Sequence, residues 1–225
     1  YFSMENIEKK FANRRTLVST FFFSVLAGGA FSKSLELFYG SAFPVFWNSD
    51  YFFTKWALFF VFVSILLRFY IGRLLHIKVL EEHPPHESAF AWLFDFSFVL
   101  IEFSIIYFMG MCFLNYDAYL FLWLLVTLLV TDCIWIFSMW ILGKIDQSYK
   151  RGSIPWPWLM INFPCFIFLL LILLFYKVGL HKEIFNSITM MKIIFIVFLV
   201  SAVSDIIVTD RHFLLRGKGW KQKSP

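Results

Sequence analysis

The chain has 225 residues, of which 60% are hydrophobic and 22% aromatic, with a formal net charge of +5. Soluble domains are about 45–50% apolar, so this composition excludes a soluble globular protein and predicts a membrane protein. The hydrophilic stretches are too short to enclose a core of their own, and the positive charge is interpreted as a topology signal. No nucleic-acid partner is expected.

Three long segments contain no Asp, Glu, Lys or Arg, namely 16–32, 118–131 and 152–176. A bilayer core of about 30 Å needs about 20 mostly apolar residues as a helix, because every backbone polar group must be satisfied within its own segment. Windowed hydropathy therefore predicts six transmembrane helices. They cover residues 16–39, 53–76, 89–113, 117–142, 156–177 and 190–210.

This pattern predicts an all-α polytopic integral membrane protein, a bundle of six transmembrane helices over residues 16–210. A basic arm, residues 1–15, precedes the bundle, and we expect it to be either an amphipathic helix on the inner membrane surface or a solvated segment. The arm and the apolar run after it, which ends in small residues at 27–30, have the layout of a secretory signal. We interpret them as an uncleaved first span. A basic cytoplasmic tail covers residues 211–225.

The basic residues predict the orientation of the helices. With six spans, most Lys and Arg residues outside the membrane lie in the N-terminal arm, the loops after the second and fourth spans, and the tail. Only Lys55, Lys177, Lys182 and Lys192 fall on the opposite side. The positive-inside rule therefore places both termini in the cytoplasm. We expect a bacterial inner membrane, with the lipid bilayer as the first partner.

The first predicted helix carries a stripe of small residues at intervals of four. The stripe consists of Thr20, Ser24, Gly28 and Ser32. Small residues allow two helices to approach closely in a membrane. The stripe predicts a helix contact within the bundle or between subunits, and we favour the bundle.

Ionisable residues at membrane depth are the main candidates for function, because each costs about 2.5–3.5 kcal/mol at the centre of a helix. The second predicted helix carries Arg68 and Arg73. The third, which runs antiparallel to it, carries Asp95 and Glu102 on one face, since they are nearly two turns apart. Matching depths predict an ion pair between Arg68 and Glu102. They predict a second pair between Arg73 and Asp95.

Two further acids have no obvious basic partner at their depth. Asp132 in the fourth predicted helix and Asp205 in the sixth each continue a polar stripe. The stripes consist of Thr127, Thr131 and Ser138, and of Ser201, Ser204, Thr209 and His212. Ser and Thr commonly bridge membrane helices at about 0.6 kcal/mol each, whereas an unpaired acid needs water, a cation or a proton. We expect both acids to face a polar cavity or pore.

Other chemistry in the sequence is sparse. The three cysteines lie in apolar segments without ligand-like spacing and are interpreted as small buried hydrophobic residues. His83 and His86 are a weak candidate for a zinc-like site, which a proline-stiffened hinge explains better. We expect no cofactor and no metal. HExxH, GxSxG, P-loop and GxGxxG patterns are absent, which favours a protein that is not an enzyme.

The function predicted from these features is movement of an ion or small solute by a channel- or transporter-like protein, as a homo-oligomer or with a partner protein. Acids outnumber arginines within the predicted spans, so a cation or proton is expected to compensate the remainder. The alternative is a membrane anchor or effector subunit of a transport, toxin or defence system, with the basic tail as the docking surface for its partner. An embedded enzyme is a distant third.

Overall fold

The protein is described by a computed structural model over residues 4–42, 49–82, 89–114, 117–145, 156–177, 192–204 and 207. All regular secondary structure in these ranges is α-helical, with five long helices and one shorter helix. The helices are α1 Met4–Ala42, α2 Ser49–Glu82, α3 Ala89–Met111, α4 Ala118–Ile145, α5 Trp156–Lys177 and α6 Lys192–Ser204.

Five helices are long and apolar enough to cross a membrane. Their apolar segments are Leu17–Gly40, Lys55–Leu74, Leu93–Met111, Ala118–Leu142 and Trp158–Phe175. The shortest has 18 residues. At a rise of 1.5 Å per residue it spans about 27 Å, close to the thickness of the hydrocarbon core. The all-α membrane fold predicted from composition is therefore confirmed at this level.

The sixth predicted span lies only partly within the described residues. Helix α6 is shorter than the about 20 residues that a spanning helix requires. Residues 205–206 and 208–210 of the predicted span lie outside the described ranges. The sixth span and the cytoplasmic location of both termini therefore stay predictions.

Helix α3 lies at the centre of the described arrangement. It packs against α1, α2 and α4, while α4 also packs against α5 and α1 against α2. Helix α6 contacts α5, where Cys165 Sγ and Ser201 Oγ are 3.0 Å apart. It also contacts α2 through the rings of Phe60 and Phe195. Helices α2, α3, α4 and α5 surround a shared interior, since α5 also contacts α2 through Asn162 and Arg68.

Aromatic side chains fill one end of this interior. The rings of Phe38 and Phe59 stack with centroids 4.3 Å apart, and Phe113 meets Phe59 edge-on at 5.8 Å. Such pairs contribute about 0.5–1.5 kcal/mol each beyond the area they bury. Beside them, α4 begins at an N-cap, since Asp117 Oδ1 accepts from the N–H of Leu120 at 2.8 Å. This end of the bundle is closed by apolar packing.

Most of the small-residue stripe of α1 does not pack against the described helices, so the favoured contact within the bundle is not observed and a contact between subunits stays a prediction. Ser24, Gly28 and Ser32 are exposed, and a Cβ on Gly28 would meet nothing within 4 Å. Ser24 reaches α2 only through its hydroxyl, 3.2 Å from that of Tyr70. A different face of α1 points inward. Its buried residues are Ser19, Phe23, Ala27, Ala30, Ser34 and Phe38.

The close approach of α1 to α3 occurs instead at Gly110. A Cβ at this position would lie 1.9 Å from Ser34 Oγ and 3.2 Å from Ser34 Cβ. The Ser34 hydroxyl donates to the carbonyl of Ala30 at 2.6 Å, so rotating it away breaks a buried hydrogen bond. Gly110 is therefore required for the contact between these helices.

Replacing Gly110 with alanine is expected to lower stability by about 1–3 kcal/mol through overpacking. The measurement is the melting temperature of purified protein in detergent. Gly28→Ala is the matched control, because it adds the same methyl group to exposed helix and should cause no loss. Equal melting temperatures for Gly110→Ala and the wild type would contradict the packing described for α1 and α3.

The number of spans is tested by labelling both ends of the chain. Single cysteines at Ser3 and Ser224, in a variant without Cys112, Cys133 and Cys165, should react with an impermeant maleimide from the same side of the membrane. An even number of spans requires this result, whereas five spans place the two ends on opposite sides. Labelling of Ser224 from outside intact cells would contradict the predicted cytoplasmic tail.

Candidate functional site

Polar side chains from four helices meet in the interior between α2, α3, α4 and α5. We call this set the polar cluster. Its members are Arg68 and Arg73 of α2, Asp95 and Glu102 of α3, Asp132 and Trp135 of α4, and Asn162 of α5. All except Asp95 are buried.

Arg73 is the centre of the polar cluster. Its Nη2 and Nε donate to Glu102 Oε2 at 2.7 and 3.3 Å. Its Nη1 donates to Asp95 Oδ1 at 3.2 Å. The guanidinium carbon also lies 3.9 Å from the ring centre of Trp135, a cation–π contact. One guanidinium thus joins α2, α3 and α4.

Trp135 covers this guanidinium, and a second tryptophan packs beside Trp135. The indole N–H of Trp135 donates to Asp95 Oδ1 at 2.7 Å, so the same carboxylate oxygen accepts from both Trp135 and Arg73. The ring of Trp158 lies 6.1 Å from that of Trp135. Trp158 reaches this position because α2 has Gly72 opposite it, where a Cβ would lie 2.5 Å from Trp158 Cζ2.

Arg68 has a different partner, on α5. Its Nη2 donates to Asn162 Oδ1, and Asn162 Nδ2 donates to Asp132 Oδ2. The amide oxygen of Asn162 thus accepts a hydrogen bond and its NH₂ group donates one, which are the roles that an asparagine side chain can take. Asn162 therefore bridges an arginine on α2 and an acid on α4.

The structure supports one predicted ion pair and corrects the other. The pair between Arg73 and Asp95 is present. Glu102, predicted to pair with Arg68, pairs instead with Arg73. Five residues along a helix correspond to a rotation of about 140°, so Arg68 and Arg73 cannot both face α3. Matching depths give no information about this rotation.

Asp132 is buried among protein groups rather than in an open pore. A cavity of about 10 Å³ lies beside it, lined by Arg68, Phe69, Arg73, Asp132 and Trp158. This volume is about what a single water molecule needs. The predicted stripe does not extend the cavity, since the hydroxyls of Thr127 and Thr131 donate to carbonyls four residues earlier in their own helix.

Several predicted residues lie outside the described residues. They are His83, His86, Asp205, Thr209 and His212. Within the described ranges, no group of three or more His, Cys, Asp or Glu side chains is placed to hold a metal ion. The prediction that Asp205 faces a polar cavity is not tested.

The charges of the polar cluster are unequal. Three carboxyl groups, those of Asp95, Glu102 and Asp132, face two arginines. Glu102 Oε1 has no hydrogen-bond partner among the described residues, although the side chain is 0% exposed. A fully ionised cluster would therefore carry a net negative charge inside the membrane, which is costly unless a cation or proton compensates it.

Asn162 and Trp135 were not singled out from the sequence. Asn162 had a visible signal, as the one amide in a segment of α5 without charges. Trp135 had a weaker one, since it lies three residues after Asp132 and so on a neighbouring face of the helix. Their contacts depend on how α4 and α5 are rotated about their axes, and this rotation cannot be predicted from residue spacing alone.

Comparison with known proteins gives no family assignment. No family model, no curated protein and no solved structure matches the chain. A helical membrane fold is compatible with many activities, so function must be argued from the chemistry of the polar cluster.

The contact between Arg73 and Glu102 is tested by a double-mutant cycle. Arg73→Met is expected to cost about 3–5 kcal/mol, because it leaves two carboxyl groups near each other in the membrane interior. Adding Glu102→Gln should recover part of this loss, which appears as coupling in melting temperatures. The matched control cycle uses Arg68→Met with Glu102→Gln and should be close to additive. Larger coupling in the control cycle would contradict the observed pairing.

Proposed function

We propose that the protein moves a small ion across the membrane, as a channel- or transporter-like protein with the polar cluster as its ion site. The observation that supports this proposal is the excess of carboxyl groups over arginines in the cluster. The excess creates a site for a positive charge, because an uncompensated carboxylate is unfavourable at membrane depth. A cation or proton that binds there and leaves again would be transported.

The energetic cost of the cluster also favours a functional role. Five ionisable side chains lie at membrane depth, and each costs about 2.5–3.5 kcal/mol at the centre of a helix. Replacing a buried ion pair with well-packed apolar residues is often neutral or stabilising by about 1–4 kcal/mol. Helix association alone therefore does not require charged residues. Function accounts for their presence better than stability does.

The dimensions of the site favour a small cargo. The cavity beside Asp132 holds about 10 Å³, enough for a proton carrier such as water and too little for an organic solute. A wider groove between α4 and α5 is lined by apolar groups such as Ile134, Phe137 and Phe163. It offers no carboxylate or amide ligand, so it does not support an ion site.

The alternative function, a membrane subunit that acts through a partner, depends on the basic tail. Residues 211–225 lie outside the described residues. Flux measurements separate the two proposals, because an ion-conducting protein should move ions when reconstituted by itself. A subunit that depends on a partner should be inactive until that partner is added.

Asp132→Asn is expected to lower ion flux in proteoliposomes about tenfold, equivalent to about 1.4 kcal/mol in the barrier. Asparagine keeps the shape of the side chain and removes its charge. The matched control is Glu36→Gln, because Glu36 is an exposed acid that pairs with Lys33 at 3.0 Å on α1. Equal flux for the wild type and Asp132→Asn, with both proteins monodisperse, would contradict the proposal. Asp205→Asn is tested in the same assay.

A further inference from the structure

The two carboxyl oxygens of Glu102 have different environments. Oε2 accepts two hydrogen bonds from Arg73, at 2.7 and 3.3 Å. Oε1 accepts none from the described residues, and the side chain is 0% exposed. A buried oxygen without a donor is rare in folded proteins because it has lost its hydration without replacement. Glu102 is thus the acid of the polar cluster with a buried oxygen that accepts no hydrogen bond from the described residues.

The charged groups around Glu102 come from three helices. Arg73 of α2 contacts it, Asp95 lies on the same helix α3 and also pairs with Arg73, and Asp132 of α4 lines a cavity with Arg73. Helix α1 also packs against α3. Between Leu17 and Gly40 the charged side chains of α1 are Lys33 and Glu36, which pair with each other at 3.0 Å. The charged groups described around Glu102 are therefore one arginine and two further acids.

We propose that Glu102 binds and releases a proton at Oε1 and that the proton is the ion which the protein moves. This inference rests on the proposed function. In the binding step, hydronium transfers its proton to a lone pair of Oε1, which forms an O–H bond and leaves water. The reverse step returns the proton to water, so no other reactant is needed.

Protonation at Oε1 leaves the contacts of Arg73 in place. The carbonyl oxygen of a protonated carboxyl group is still an acceptor, so Oε2 keeps its hydrogen bonds from Nη2 and Nε. Asp95 remains as the counter-ion of Arg73 through the contact with Nη1 at 3.2 Å. Proton binding therefore changes the charge of the cluster without requiring its contacts to rearrange.

A metal cation fits the same site poorly. Hard cations such as Ca²⁺ and Mg²⁺ need about six oxygen ligands. Asp95 Oδ1 already accepts from Arg73 and Trp135. Asp132 Oδ2 accepts from Asn162. Two of the five residues that line the adjacent cavity are arginines, whose side chains have no acceptor and cannot be metal ligands. A proton needs only one free lone pair.

Infrared difference spectroscopy during a pH titration tests protonation of Glu102 without requiring transport. The full chain in lipid should show the C=O band of a protonated carboxyl group, and ¹³C-labelled glutamate should shift it. Glu102→Gln should remove the band, whereas the matched control Glu36→Gln should keep it. Glu102→Asp retains a carboxyl group and should shift the frequency of the band. This second variant provides the test if Glu102→Gln folds poorly. A band that is unchanged in both Glu102 variants would overturn the proposal.

Flux measurements identify the ion. Proteoliposomes with imposed proton, sodium or potassium gradients should show proton movement alone, and Glu102→Gln should abolish it while Glu36→Gln leaves it unchanged. Sodium or potassium flux without proton flux would overturn the proton assignment and still support the proposed function. Absence of any flux, together with an intact Glu102 band, would overturn the proposed function and leave the protonation of Glu102 supported.

Discussion

The arrangement of the interior depends on the burial of Arg73. A guanidinium always carries its charge, so one removed from water must be surrounded by acceptors. Arg73 meets this requirement with carboxyl groups on α3 and the face of a tryptophan on α4. Its contacts join α2, α3 and α4 in the interior. The link from α2 to α5 is then made by the second arginine through Asn162.

Close helix packing permits these contacts. Gly72 leaves the space that Trp158 occupies beside the polar cluster, and Gly110 lets α1 lie directly against α3 at Ser34. Lipid provides no hydrophobic driving force between helices, so association depends on close packing and on polar contacts across the interface. The two glycines and the polar cluster therefore act together. The glycines bring the helices near enough for short side-chain contacts, and the charges select their orientation.

The two ends of the interior have different chemistry. Near the turn between α3 and α4, stacked rings such as Phe38 and Phe59 exclude water. Toward the other end of α2 the interior contains arginines, carboxyl groups and a cavity of about 10 Å³. An ion that reaches the polar cluster would meet an apolar barrier beyond it. Under the proposed function, release of an ion on the other side would require a change of helix packing.

The sequence by itself determined the class of the protein and the membership of most of its candidate site. Long segments without charge can be recognised along the chain, and five of the six predicted spans are long apolar helices in the structure. The cost of burying ionisable groups likewise singled out Arg73, Glu102 and Asp132, which are buried. Matching depth along the helices also predicted the ion pair of Arg73 with Asp95, but the same argument gave the wrong arginine as the partner of Glu102.

Only the tertiary structure decided which partners meet. In the structure Glu102 pairs with Arg73 rather than Arg68, and Asn162 is part of the polar cluster. The small-residue stripe, which includes Gly28, faces away from the other described helices. Each outcome depends on the rotation of a helix about its own axis. That rotation depends on the packing of all helices together, so it cannot be predicted from the spacing of residues within a single segment.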